Sequence, residues 1–257
     1  MDTLSSPFSP EFVNKPGMKS YWGKLYGSAL PLSIANLACQ SGQFITLITS
    51  DMPAAQRLKE ELSFFLAAEE LEILTLPDWE TLVYDQFSPH QDIISERLAT
   101  LYHLPHLTQG ILIVPLSTLM HRLMPVDYIV NNTLLLDKGM ILDIAQFRRD
   151  LEKRGYRCVA NVYEHGEFAV RGSIIDLYPM GSSLPYRIDL FDNEIDSNKT
   201  FDIETQRSIN TVDHINMMPA REFPLNKESI ELFREQYREI LGGELTDSVI
   251  YNEVGQG

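Results

Sequence analysis

The chain of 257 residues holds 36 Asp and Glu against 21 Lys and Arg, a formal charge of -15 at pH 7. That balance argues against a main grip on DNA or RNA, which clustered Lys and Arg would supply. Apolar content of 44% and aromatic content of 10% exclude a disordered chain and leave room for one or two domains with real cores.

Residues 1–20, MDTLSSPFSPEFVNKPGMKS, read as a flexible Ser/Pro-rich leader without the basic-then-apolar order of a signal peptide. No apolar run approaches the ~18 residues that span a bilayer. A cytoplasmic protein without a membrane partner is expected. The C-terminal YNEVGQG matches nothing recognisable, so the chain is expected to be a fragment of something longer. Cys39 and Cys158 lie among apolar residues, in no CxxC or Cys/His cluster, and are expected as buried free thiols of a reducing compartment.

From Tyr21 the pattern is αβ. Pro31 to Cys39 reads as a helix broken by Gly42. Phe44 to Thr49 is a short apolar run, expected as a buried parallel strand. Ser50 and Asp51 can cap the helix that follows, with Pro53 in its first turn. Leu71 to Leu76 is a second strand, and a turn-rich aromatic loop, PDWETLVYDQFSPHQ, comes next. Asp92 to Leu104 repeats Ile93, Ile94, Leu98, Leu101 and Tyr102 at helical steps. Ile111 to Val114 is a third buried strand, and Ser117 to Leu123 a short helix capped by Ser117. Strands alternating with helices predict a mostly parallel sheet.

After Pro125 the rhythm changes. Val126 to Leu136 is β-like, and Ile141 to Arg154 is a helix closed by Gly155. β segments without helices follow: Tyr156 to Tyr163, Phe168 to Leu177, Tyr186 to Leu190, and a piece near Thr200 and Phe201. Turns fall at His165-Gly166, Pro179 to Gly181 and Asp192 to Glu194. This is a second, α+β domain built on an antiparallel β meander. One more amphipathic helix is expected after Glu222.

A βα nucleotide-binding domain would show GxxxxGK[ST] early, with glycines and a lysine for phosphate and a hydroxyl for magnesium. By the order of elements and the family likeness named later, that position is Lys24 to Pro31. Lys24 and Ala29 stand at the two glycines, around Gly27; Leu30 replaces the lysine and Pro31 the Ser/Thr. Pro31 also removes an N–H donor from the helix start. No ATP or other cofactor is expected here. An active P-loop NTPase, or a DNA-loading enzyme built on such a fold, is the alternative.

Other chemistry-bearing clusters have plainer readings. Glu164 to Glu167 (EHGE) is a polar turn rather than a metal site. Asp176, Asp189, Asp192, Glu194 and Asp196 could suggest a two-metal nuclease, but no lysine falls within the carboxylate group in sequence. His90 has no nucleophile beside it and suits a loop or helix cap. Trp79, Tyr84 and Phe87 suit loop packing better than base stacking. No catalytic or metal-binding residue is assigned. Arg171, Arg187 and Phe191 stand out as an interface set, with Arg187 and Phe191 four apart and so on one face of an extended strand. Composition alone favours reading them as surface salt bridges and a core aromatic.

Three stretches decide between these readings. LPDWETLVYDQFSPHQDIISERLATLYHL, YEHGEFAVRGSIIDLYPMGSSLPYRIDLFDNEIDS and FDIETQRSI resemble the N-terminal, UvrB-homologous region of the bacterial transcription-repair coupling factors, the Mfd family, over about Tyr21 to the end. The resemblance implies an α/β fold: a degenerate P-loop-like domain 1a at 21–125, an inserted α+β domain 2 at 126–218, and the start of a truncated domain 1b at 219–257. It implies UvrA binding on domain 2 through Arg171, Arg187 and Phe191. It further implies that RNA polymerase, DNA and the ATP-driven translocase motor are served by parts of the parent absent here, and that this piece is a non-catalytic UvrA-recruiting module.

Overall fold

The computed structural model describes residues 15–67, 71–81, 88–241 and 248–254. Chain contacts divide into two compact units, Met1–Val126 and Asp127–Gly257.

In the first unit α1 (Ala29–Ser41) precedes β1 (Phe44–Thr49), and α2 (Met52–Phe65) leads to β2 (Ile73–Thr75). The Asp51 carboxylate accepts from the Ala54 N–H at 2.8 Å, and Pro53 sits in the first turn, so α2 starts where capping chemistry dictates. α3 (Gln91–His103) is capped by His90, whose Nδ1 accepts from the Asp92 N–H at 3.3 Å. Next come β3 (Gly110–Pro115) and the single-turn α4 (Leu116–Leu119). The three strands form a parallel sheet in the order β1-β3-β2. Wholly buried β3 lies at its centre, and Ile111 and Ile113 pack with Ile34, Ala35 and Ala38 of α1 and Ala55 and Leu62 of α2. Each fully buried Leu or Ile here contributes about 1.5–3 kcal/mol.

Three expectations for this unit are corrected. β1 is an edge strand, only partly buried, with Ile48 exposed. Ser117 does not cap α4: the N-cap is Pro115, and the Ser117 hydroxyl donates instead to Asp78 Oδ2 at 2.5 Å. Cys39 is exposed, as is Cys158 in the second unit.

The second unit opens with α5 (Val126–Asn132) and β4 (Leu134–Asp137), where a β-like stretch was expected. β-branched Val126, Ile129 and Val130 suggested a strand, but only Ile129 needs burial. The Asn132 side chain donates to the Tyr128 carbonyl and the Thr133 hydroxyl to that of Ile129, both at 2.8 Å, closing the helix end. α6 (Ile144–Lys153) follows, capped by Asp143 and ended at Gly155, whose φ of +91° is one a side chain would strain.

The meander is β5 (Arg157–Cys158), β6 (Glu167–Arg171), β7 (Ile174–Leu177), β8 (Tyr186–Phe191), β9 (Glu194–Phe201) and β10 (Ser208–Val212). These pair in sequence order as one six-stranded sheet, antiparallel except for β5 against β6. β11 (His214–Met217) pairs with β4 as a separate ribbon. The buried Asn198 amide donates to the Leu136 carbonyl at 3.1 Å and ties the ribbon to the sheet. Phe168, Ile175, Leu177, Ile188 and Leu190 alternate to the buried face. Only two residues of the expected Tyr156–Tyr163 strand are extended in a ladder; Val162 instead packs on Ala169, Tyr178 and Phe201 over the opposite face. α7 (Lys227–Leu241) and α8 (Val249–Val254) complete the described residues.

Candidate functional site

The loop Lys24–Pro31 ends at the N-terminus of α1. Gly27 takes a φ of +56° and Ser28 is the N-cap, without a side-chain cap bond. Residues 18–26 form no strand, so no strand–loop–helix unit precedes α1. Leu30 is exposed and Pro31 buried. A groove of about 800 Å³ lies beside this turn, lined by Leu25, Leu30, Ile34, Ile45 and Leu47, with Arg57 and Glu61 among its charged residues. Its lining is mainly hydrocarbon, which suits an apolar chain segment better than a triphosphate.

Trp79 stacks on His121, ring centroids 4.8 Å apart, and the wholly buried Arg97 guanidinium lies 4.5 Å from the Trp79 ring centre. Arg97 also donates to the Pro77 carbonyl at 2.5 Å. Trp79 is therefore held by Arg97 of α3 and by His121 beyond α4; Tyr84 and Phe87 lie outside the described residues. His90 caps α3.

In the second unit the EHGE turn folds on itself. Glu167 accepts from the Tyr163 and Glu164 N–H groups at 2.8 and 3.0 Å and from Arg157 at 2.6 Å. Burial pushes the Glu167 carboxyl up, but those two N–H groups and Arg157 together hold it below the usual range. His165 lies 3.9 Å from the Tyr178 ring centre, with Nε2 2.7 Å from the Ser182 carbonyl. The suspected carboxylate cluster is dispersed. Asp176 faces arginines, Asp192 sits in the β8–β9 turn at a φ of +55°, and Glu194 and Asp196 are exposed. Contrary to the linear reading, a lysine does join it: Lys199 Nζ lies 2.6 Å from Asp189 Oδ2, a cross-sheet pairing invisible in the sequence. Among the described residues no group of three His, Cys, Asp or Glu could hold a metal ion.

Arg171, Arg187 and Phe191 share the side of β6–β8 that Val162 partly covers. Asp176 pairs directly with Arg187 across β7 and β8, and Ala169 with Asp176 across β6 and β7, so Arg171, Asp176 and Arg187 point the same way. Both guanidiniums pair with the wholly buried Asp176 carboxylate: Arg187 through Nε at 2.7 Å and Nη2 at 2.9 Å, Arg171 through Nη2. Arg187 further donates to the Gln206 carbonyl at 3.1 Å and lies over the Phe201 ring, 5.1 Å from its centre. Hydrogen bonding to Asp176 raises the Arg187 pKa against the opposing effect of burial. The Arg187 side chain is 17% exposed and that of Arg171 44%. Phe191 is 76% exposed, at the far end of β8, roughly 13 Å along the strand from Arg187.

The sequence supplied the three residues but missed Asp176, which was grouped with the carboxylates. The parity of β7 and β8 was the available signal; the register that aligns Asp176 with Arg187 was not.

Residues 134–223 match the family model of the UvrB interaction domain. The chain is 44% identical to the transcription-repair-coupling factor of Haemophilus influenzae over 251 residues, 97% of this chain and 22% of that protein. It is 46% identical to that of Escherichia coli over 243 residues, 95% and 21% of the two chains, and 37% identical to that of Staphylococcus aureus over 211 residues, 82% and 18%. The chain thus spans about a fifth of the length of these curated relatives. Residues 134–223 therefore match the UvrB interaction domain family, and the chain as a whole is similar to the N-terminal region of the transcription-repair-coupling factors.

Proposed function

We infer that this chain is a non-catalytic docking module of transcription-coupled nucleotide excision repair, in which domain 2, residues 126–218, receives UvrA. One observation carries the reading: within the matched domain, an exposed Phe191 shares a sheet face with two arginines held by one buried carboxylate. Aromatic and arginine side chains on a rigid face make an interface hot spot, because little freedom is lost on binding.

Residues 21–125 act as a degenerate, P-loop-like domain 1a. Leu30 and Pro31 stand where a lysine and a hydroxyl would bind phosphate and magnesium, and we assign the chain no cofactor and no catalytic residue. Residues 219–257 begin domain 1b. ATP-driven translocation, and the contacts with RNA polymerase and DNA, belong to other parts of the parent protein, which works in the cytoplasm. Among the described residues no helix is long and apolar enough to cross a membrane.

Capture of purified UvrA by the chain tests this, beside the Arg187→Ala variant. Wild type should retain UvrA and the variant should retain several-fold less. A folded wild-type chain that leaves UvrA in the flow-through sinks the reading.

A further inference from the structure

Phe191 has an apolar companion that lies fifty residues earlier in the chain. The segment Gly139–Leu142 runs antiparallel beside the start of β9: the Ile195 N–H donates to the Met140 carbonyl at 2.9 Å, and the Leu142 N–H to the Asn193 carbonyl at 2.6 Å. Ile141 therefore stands directly opposite Glu194, in the bonding frame where opposed side chains approach most closely. Glu194 is in turn paired with Phe191 across the hairpin. Phe191, Glu194 and Ile141 thus form one row across three chain segments, spanning about 10 Å at the usual inter-strand spacing.

The two outer members are hydrocarbon and open to solvent: Ile141 is 73% exposed, close to the exposure of Phe191, and Met140 next to it is exposed as well. Between them, the Glu194 carboxylate leans toward Gly139, Oε1 lying 3.9 Å from where a Cβ would stand. With no side chain at Gly139, the carboxylate can tip out of the row and leave its methylenes between Phe191 and Ile141. Asp192, Asp196 and Asp143 are exposed close by in the chain segments that form the row. At the arginine end of the face Asp176 offsets one of the two guanidinium charges, leaving one net cation, with Arg187 roughly 13 Å from Phe191; Lys199 is offset by Asp189. Immediately around the apolar row, Glu194, Asp192, Asp196 and Asp143 outnumber the exposed Lys138 beside Gly139, so the local charge is acidic.

We propose that Ile141 and Phe191 form a single apolar docking strip, and that it receives an apolar cluster edged by basic residues on the surface of UvrA. This rests on the docking reading of the same face and adds a second anchor to it. Burying two facing apolar side chains against one partner cluster makes their effects interdependent, since removal of either loosens the contact of the other. Asp192 and Glu194 then meet the basic edge, giving the contact a salt dependence beyond that of a purely apolar one.

The test is calorimetric titration of purified UvrA into the chain as wild type, Phe191→Ser, Ile141→Ser and the double variant, each checked for an unchanged thermal melt. Both positions are exposed, so folding should survive. Each single change should weaken binding about five- to thirty-fold. The double variant should fall short of the product of the two. Full affinity in Ile141→Ser with a loss in Phe191→Ser overturns the strip and leaves the docking function intact. Full affinity in both singles overturns the strip and the role of Phe191 together. No binding by folded wild type overturns the docking reading and the strip with it. If the multiplied single effects equal that of the double, the two residues are not one strip.

Discussion

Asp176, wholly buried on β7, accepts two hydrogen bonds from Arg187 at the directly opposed position of β8. The same carboxylate holds Arg171 from β6. Three adjacent strands are thereby cross-linked by one side chain, and the arginines are fixed before any partner arrives. Removing one partner of a buried pair leaves an uncompensated charge, which is a larger effect than the net worth of the pair. Asp176→Ala should therefore destabilise the domain by about 3 kcal/mol. Urea unfolding followed by circular dichroism measures it; a loss under about 1 kcal/mol would mean that the arginines find water instead.

Arg187 and Phe191 should separate in their effects. Arg187 is mostly enclosed, bonded to Asp176 and the Gln206 carbonyl and stacked over Phe201. Arg187→Ala should lower both UvrA affinity and melting temperature, and Arg187→Lys should not restore either, because an ammonium cannot reproduce the two-point bond. Phe191→Ala should weaken UvrA binding by roughly 1–3 kcal/mol with no change in melting. Parallel calorimetry and thermal melts distinguish them; a melting loss in Phe191→Ala as large as that in Arg187→Ala contradicts the division.

Glu167 gives the domain an acid-sensitive latch. Its carboxyl titrates below the ordinary 4.5 in the folded state, since its hydrogen bonds outweigh burial. The stabilisation is present in full above the unfolded value and lost as pH falls through the lower, folded value. Acidification from pH 6 to below about 4 should release the 159–164 loop from the sheet. The wild-type urea midpoint should fall more steeply over that range than that of Glu167→Gln. Equal slopes in the two proteins would remove Glu167 as the cause.

Tyr156 is an internal strut. Its hydroxyl donates to the Met218 carbonyl at 2.6 Å and accepts from the Met180 N–H at 3.2 Å, joining segments that also meet in a Met180–Met218 bridge. Complete burial pushes its pKa far above that of a free phenol, so it stays neutral. Tyr156→Phe strips a partner from each of two backbone groups and should cost about 1–3 kcal/mol. A variant as stable as wild type in urea would show that water replaces the hydroxyl.

The Lys24–Pro31 turn should be silent toward nucleotide. Titration of MgATP into the folded chain should give no binding heat. Measurable binding that disappears on changing this loop would instead support the NTPase alternative.

Local chemistry in the chain was enough to fix much of the fold. Asp51 with Pro53 marks the start of α2, and strict alternation along Tyr186–Phe191 places Arg187 and Phe191 on one side. These are nearest-neighbour effects, written in spacing and capping. The same signals failed where the deciding partner is remote. Val126–Asn132 is helical despite its β-branched residues, because side-chain bonds at its end and a single buried Ile129 outweigh strand propensity. Family likeness turned Arg171, Arg187 and Phe191 into an interface set; composition favoured salt bridges and a core aromatic. Tertiary structure added what no linear pattern contains: a register that sets Asp176 against Arg187, a fold-back that brings Lys199 to Asp189, and a bridge that lays Ile141 beside the Phe191 hairpin. Strand register depends on pairing between distant segments, and a shift of one residue would turn every one of these side chains to the opposite face.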